Sequence, residues 1–146
     1  MTITDIYSML KKTKISNEEF VCCDDLFNLL MIDSEITYID CIITPYYISG
    51  NKRYELYEYE LVMSSTESFR QYMTIVTGRD WESINNDVVK TREHCYIELM
   101  DKDSSDITME IVKYIEYLKN NTNLKKEIES VFGEFDFSKM FIAIYY

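Results

Sequence analysis

Carboxylates and tyrosines are the side chains whose types and spacing give this sequence its chemical character. Between Ile15 and Asn51 the chain has no Lys or Arg and seven acidic residues: Glu18, Glu19, Asp24, Asp25, Asp33, Glu35 and Asp40. Tyr38, Tyr46 and Tyr47 lie in the same window, and Tyr54, Tyr57 and Tyr59 follow it beside Glu55, Glu58 and Glu60. Aromatic rings and carboxylates together attract Lys and Arg, through cation–π contacts and through charge. The pattern therefore predicts a surface that binds a basic protein.

The predicted contact residues combine the acids of this window with the tyrosines of the segment that follows. They are Asp24, Asp25, Asp33, Glu35, Asp40, Tyr46, Tyr47, Tyr57, Glu58 and Tyr59. A second interpretation stays open: the tyrosines pack one face of a sheet, and the acids only keep the surface solvated.

The overall charge limits the class of partner. The chain has 26 Asp and Glu against 15 Lys and Arg, a net charge of −11 over 146 residues. Nucleic acids and anionic membranes are bound through Lys and Arg that neutralise phosphates, so we expect neither as a partner. The N-terminal segment lacks the pattern of a secretory signal, and the apolar runs are too short to span a bilayer, which predicts a cytoplasmic protein.

Motifs for phosphate, metal or nucleophilic chemistry are missing. Gly50, Gly78 and Gly133 stand too far apart for a phosphate-binding loop. The four cysteines show no zinc-ligand spacing, and His94 is the single imidazole. The acids match no calcium-loop pattern. We therefore predict no cofactor, no metal and no catalytic residue.

Hydrophobic periodicity predicts several helices. Ile3, Ile6, Tyr7 and Leu10 share one helical face near the N-terminus. Ser16 and Glu19 have capping-box spacing ahead of a helical pattern that runs to Leu30, with a shorter helix starting at Asp24 and Asp25 as the alternative. Further amphipathic patterns run from Ser64 to Gly78, from Ile107 to Leu118, and from Leu124 to Phe132 with Gly133 as the stop signal.

Strand patterns lie between and after these helices. Ile36 to Ile43 and Lys52 to Met63 form a predicted hairpin about Ser49, Gly50 and Asn51. Val88 to Met100 alternates as a third strand, and Met140 to Tyr146 is a continuous apolar run typical of a strand covered on both faces. The sequence thus predicts one α+β domain over 1–146, with a mostly antiparallel sheet of about four strands packed against amphipathic helices. We expect the C-terminal strand to be inserted in that sheet.

Size, acidity and the lack of catalytic motifs favour a small acidic protein-binding module. The predicted function is that of an inhibitor, an immunity protein or an anti-defence protein that occludes a basic partner, such as a toxin nuclease. Two alternatives remain. One is a small enzyme that uses a carboxylate pair or His94 in a pocket between sheet and helices. The other is an adaptor subunit of a larger assembly, viral assemblies included, that docks through the tyrosine-rich hairpin or through an edge at Met140 to Tyr146.

Overall fold

The structure is a computed structural model that describes residues 3–15, 17–32, 41–63 and 108–145. The predicted helix from Ser64 to Gly78 and the predicted strand from Val88 to Met100 lie outside the described residues. So do four residues singled out from the sequence, namely Asp33, Glu35, Asp40 and His94.

The described residues form one curled antiparallel sheet with helices, which confirms the predicted α+β class. Its strands are β1 (Lys12–Ile15), β2 (Glu18–Cys22), β3 (Cys41–Ser49), β4 (Lys52–Glu55), β5 (Leu61–Met63) and β6 (Met140–Tyr145). They are arranged in the order β1-β2-β6-β3, with β4 and β5 both paired to the remaining side of β3. The C-terminal strand β6 is inserted between β2 and β3, as predicted.

Four α-helices accompany the sheet in the described ranges: α1 (Ile3–Met9), α2 (Cys23–Met31), α3 (Thr108–Asn120) and α4 (Thr122–Phe132). The predictions for α1, α3 and α4 are confirmed. The Asn121 side chain accepts a hydrogen bond from the Leu124 N–H and begins α4, and Gly133 ends it with a φ of 82°. None of these helices is long and apolar enough to span a bilayer.

The prediction of a helix running from Ser16 to Leu30 is wrong. The chain instead forms the β1–β2 hairpin, in which Lys14 pairs with Glu19 and Lys12 with Val21, and then enters α2. Phe20 and Val21 are both fully buried, on opposite faces of the sheet, which a strand allows and a single amphipathic helical face does not. The alternative start at Asp24 and Asp25 is confirmed, since both lie in the first turn of α2.

The core has two parts, one on each face of the sheet. The larger part packs alternate residues of β3, such as Ile43 and Tyr47, against α2, α3 and α4. The smaller part lies on the opposite face and consists of Phe20, Tyr46, Ile48 and Ala143. Strand β6 contributes to both parts, which explains why its sequence is continuously apolar.

A hairpin with a turn at the predicted place is present, but both strands differ from the prediction. The first strand, predicted from Ile36 to Ile43, continues to Ser49 as β3, its residues 36–40 lie outside the described residues, and the second strand is interrupted. Ser49 pairs with Lys52 around a turn at Gly50 and Asn51, where Gly50 has a φ of 63°. The single strand predicted from Lys52 to Met63 is instead β4, a 3₁₀ helix at Tyr57–Tyr59, and then β5. A second 3₁₀ helix, Phe137–Lys139, leads into β6.

Candidate functional site

Two of the predicted contact tyrosines lie in the core. Tyr46 is 4% exposed and Tyr47 is fully buried. The Tyr47 ring packs 4.7 Å from the Phe132 ring, and its hydroxyl accepts a hydrogen bond from the Asp136 N–H (3.1 Å). The Tyr46 hydroxyl contacts that of Tyr145 at 3.2 Å, and burial raises its pKa. The prediction that these two rings belong to an exposed surface is therefore wrong, because β3 is covered on both faces.

The excess of acid between Ile15 and Asn51 is partly compensated in space by bases from outside that window. Glu19 forms an ion pair with Lys12 across the β1–β2 hairpin (3.2 Å). The curl of the sheet brings β2 and β4 together, so Glu18 pairs with Arg53 at 2.5 Å. Arg53 also lies over the rings of Phe20 and Tyr46, 5.8 and 6.0 Å from their centroids. These two acids already have cationic partners within the chain.

The interruption between β4 and β5 lies opposite Pro45, the single proline of the sequence. The Pro45 carbonyl accepts a hydrogen bond from the Leu56 N–H (2.9 Å), but proline has no N–H to continue the ladder on that side of β3. The chain then turns out of the sheet into the 3₁₀ helix, where the Tyr59 N–H bonds to the Leu56 carbonyl (2.9 Å). The Leu56 side chain is buried and holds the chain in place where it leaves the sheet.

A small pocket, which we call the acidic–tyrosine pocket, lies beside the segment that leaves the sheet. It has a volume of about 90 Å³ and is lined by Tyr54, Glu55, Leu56, Glu58, Tyr59 and Glu127. Every charged residue that the structure describes in this lining is a carboxylate. The pocket thus combines three acids with two aromatic rings, the pairing that the sequence pattern predicts for binding Lys or Arg.

Helices α3 and α4 hold the tyrosines of this pocket in place. The Tyr54 hydroxyl donates a hydrogen bond to Glu127 Oε1 on α4 (3.1 Å). The Tyr59 ring lies 6.2 Å from that of Tyr117 on α3, and the Tyr114 hydroxyl donates to the Tyr59 carbonyl. Burial, and secondly the charge of Glu127, raise the pKa of Tyr59 to about 12. The phenol therefore stays neutral at physiological pH, and the negative charge of the pocket comes from its glutamates.

The structure brings only part of the predicted contact set into this pocket. Glu58 and Tyr59 line it, whereas Asp24 and Asp25 are half-buried at the start of α2. For Tyr57 the structure describes the backbone position in the 3₁₀ helix and not the side chain. Glu127 was not predicted, because 73 positions separate it from Tyr54 and only folding brings the two together. Tyr54 and Glu55 belong to the sequence pattern but not to the predicted contact set.

A second cavity lies between α2, α3 and the second 3₁₀ helix, and we call it the α2–α3 cleft. Its volume is about 200 Å³. The lining residues are Asp24, Phe27, Ile115, Glu116, Lys119, Asn120 and Phe137. The Lys119 ammonium lies 5.7 Å from the centroid of the Phe137 ring. The described lining of the cleft therefore combines apolar side chains with two carboxylates and one ammonium.

The described cysteines are buried or partly buried, and the described acids form no metal-binding cluster. Cys23 and Cys41 are buried, and Cys22 is partly buried. Burial raises the pKa of the Cys22 and Cys23 thiols, which disfavours the reactive thiolate. Among the residues that the structure describes, no group of three or more His, Cys, Asp and Glu side chains is placed to hold a metal ion.

The described part of the predicted docking edge, Met140 to Tyr145, is inserted between β2 and β3, and docking through it stays a prediction. Strand β6 pairs with β3 along its length, and Phe141 and Ile142 pair with β2 on the other side. Its main-chain groups are therefore largely used within the sheet.

Comparisons of this chain with protein-family models, with curated proteins and with solved structures found no match.

Proposed function

We propose that this chain is a protein-binding module that occludes a basic partner, such as a toxin nuclease, as an inhibitor or immunity protein would. The observation that carries the proposal is the acidic–tyrosine pocket, whose described lining combines Glu55, Glu58 and Glu127 with two tyrosines and includes no cationic side chain. Glu18 and Glu19, in contrast, are already paired with Arg53 and Lys12.

The binding mechanism follows from the chemistry of the lining. A partner ammonium or guanidinium enters the pocket, where the glutamates supply negative charge and the rings of Tyr54 and Tyr59 supply cation–π contact. Because both rings are half-buried, the bound cation is partly removed from water, which strengthens its attraction to the carboxylates. A nuclease whose phosphate-binding Lys or Arg is held in this way can no longer bind its substrate.

The size of the pocket favours a side chain over a whole metabolite as the occupant. Its volume of about 90 Å³ is well below the ~300–1,000 Å³ that is usual for small-molecule sites. A single Lys or Arg head group is the kind of ligand that fits. This supports the protein-binding function over the alternative of a small enzyme acting in this pocket.

The test is the affinity for a fluorescein-labelled peptide of alternating lysine and serine, measured by fluorescence anisotropy at low and at physiological ionic strength. We expect the triple variant E55Q/E58Q/E127Q to bind about tenfold more weakly, which corresponds to ~1.4 kcal/mol. Glutamine keeps the acceptor for the Tyr54 hydroxyl, so the pocket should remain formed. The unmodified chain should lose affinity as salt is added.

The matched control is E19Q/E129Q/E134Q, which removes the same number of negative charges at acids that are ion-paired to lysines of this chain. We expect this control to stay within about twofold of the unmodified chain, since overall charge acts only weakly at physiological salt. Equal losses in the two triple variants would show that net charge alone attracts the peptide, and the proposed role of the pocket would be wrong.

A further inference from the structure

We propose that the α2–α3 cleft binds the guanidinium of an arginine from a partner protein. Before the partner binds, the Lys119 ammonium of this chain occupies the same position. This site rests on the proposed function in one respect, namely that the partner is a basic protein. It uses none of the residues of the acidic–tyrosine pocket, so the two can be tested separately.

The first argument is the intramolecular contact in the cleft. The Lys119 ammonium lies over the Phe137 ring at 5.7 Å, within the range of a cation–π interaction. The chain itself thus places a cation on this ring. Lys119 is exposed, so its side chain can leave the ring without disturbing the core.

The second argument is the balance of charge around the cleft. Asp24 and Glu116 contribute two carboxylates to the lining, against one ammonium from Lys119. When Lys119 moves away, the described lining keeps both negative charges and no positive one. A cation from a partner complements that charge.

The third argument concerns the shape of the ligand and selects arginine over lysine. Two aromatic residues, Phe27 and Phe137, line the cleft. A guanidinium is planar and weakly hydrated, so it stacks on aromatic rings while its edges donate hydrogen bonds to carboxylates. An ammonium is strongly hydrated and does not stack. The volume of about 200 Å³ also leaves room for the aliphatic stem of the arginine.

The test is an NMR titration of the ¹⁵N-labelled full chain with N-acetyl-arginine amide, beside the corresponding lysine and leucine compounds. We expect saturable shifts of the amides of Asp24, Phe27 and Glu116 with the arginine compound, and smaller shifts with lysine. K119Q should bind the arginine compound about two- to fivefold more tightly, because an exposed cation–π contact of ~0.5–1 kcal/mol no longer competes.

Two matched controls separate the cleft from general charge effects. K126Q removes the same charge from an exposed lysine of α4 and should leave the affinity unchanged. D24N should weaken binding, whereas D25N, an equivalent change in the same first turn of α2 but outside the cleft lining, should not.

Three results would overturn the inference. Equal shifts of the cleft amides with the leucine compound would show an apolar cleft without cation selectivity. Identical affinities of K119Q and K126Q would show that Lys119 does not occupy the site. Shifts confined to Tyr54, Glu58 and Glu127 would contradict the arginine cleft while supporting the acidic–tyrosine pocket, so the two proposals fail in distinguishable ways.

Discussion

The tyrosines of strand β3 and those of the following segment have the same chemistry and different surroundings. Tyr46 and Tyr47 on β3 are buried, one on each face of the sheet. Tyr54 on β4 and Tyr59 in the 3₁₀ helix are half-buried and line a pocket with three glutamates. The difference comes from the sheet: β3 lies between β6 on one side and β4 and β5 on the other. Tyr54 lies on β4, which pairs with β3 alone among the described strands, and Tyr59 lies where the chain has left the ladder opposite Pro45. Position relative to the sheet, and not residue type, decides which of these tyrosines lie in the core and which line the pocket.

The largest effect on stability is expected when a tyrosine of the core is replaced. Y47A removes a fully buried ring that contacts Phe132 and Phe135, so we expect a loss of about 3–5 kcal/mol in the free energy of unfolding. Y54A should cost clearly less, because its ring is only half-buried. Urea unfolding followed by circular dichroism measures both. Similar losses in the two variants would contradict the distinction between core and pocket tyrosines.

Replacing Arg53, which contacts the opposite face of the sheet, should have an intermediate effect on stability. R53Q removes the ion pair with Glu18 and the cation over Phe20 and Tyr46, and we expect a loss of about 1 kcal/mol, since both partners of the ion pair are partly exposed. E18Q removes only the ion pair and should cost less than R53Q. If E18Q costs as much as R53Q in the same urea experiment, the contact of Arg53 with the rings contributes nothing.

The smallest effect concerns the ionisation of Tyr59. Because its pKa in the folded protein is raised to about 12 from the ordinary value of 10, the neutral phenol stabilises the fold. This contribution is complete below pH 10 and is lost as the pH rises from 10 towards 12, since the unfolded chain releases the proton first. In an absorbance titration at 295 nm, the difference between the unmodified chain and Y59F should therefore appear near pH 12. A difference centred at pH 10 would contradict the buried, carboxylate-facing position of this phenol.

Local signals in the sequence were sufficient for α3, α4 and the C-terminal strand. Asn121 and Gly133 mark the two ends of α4 by mechanisms that depend on neighbouring residues only, and the apolar run of β6 reflects its burial on both faces. The segment before α2 was predicted wrongly because Ser16 and Glu19 have the spacing of a capping box, although no helix begins there. The pairing of Lys12 and Lys14 with β2 outweighed that local pattern.

The candidate site could be predicted only in part, because folding assembles it from distant segments. Glu58 and Tyr59 followed from the pairing of aromatic and acidic residues, but Glu127 reaches the pocket from α4 through its contact with Tyr54. Folding also places Arg53 and Lys12 beside acids that have no basic neighbour within the window from Ile15 to Asn51. A count of charge along the chain cannot show such compensation.

The most direct test of the central claim is a map of where a cation binds. We would titrate the ¹⁵N-labelled chain with the unlabelled lysine–serine peptide at physiological salt and follow the backbone amides. The account predicts saturable shifts centred on Tyr54, Glu55, Glu58, Tyr59 and Glu127, with little change at Glu18 and Glu19. Shifts spread evenly over the acidic residues, or centred on the ion-paired Glu18 and Glu19, would contradict it.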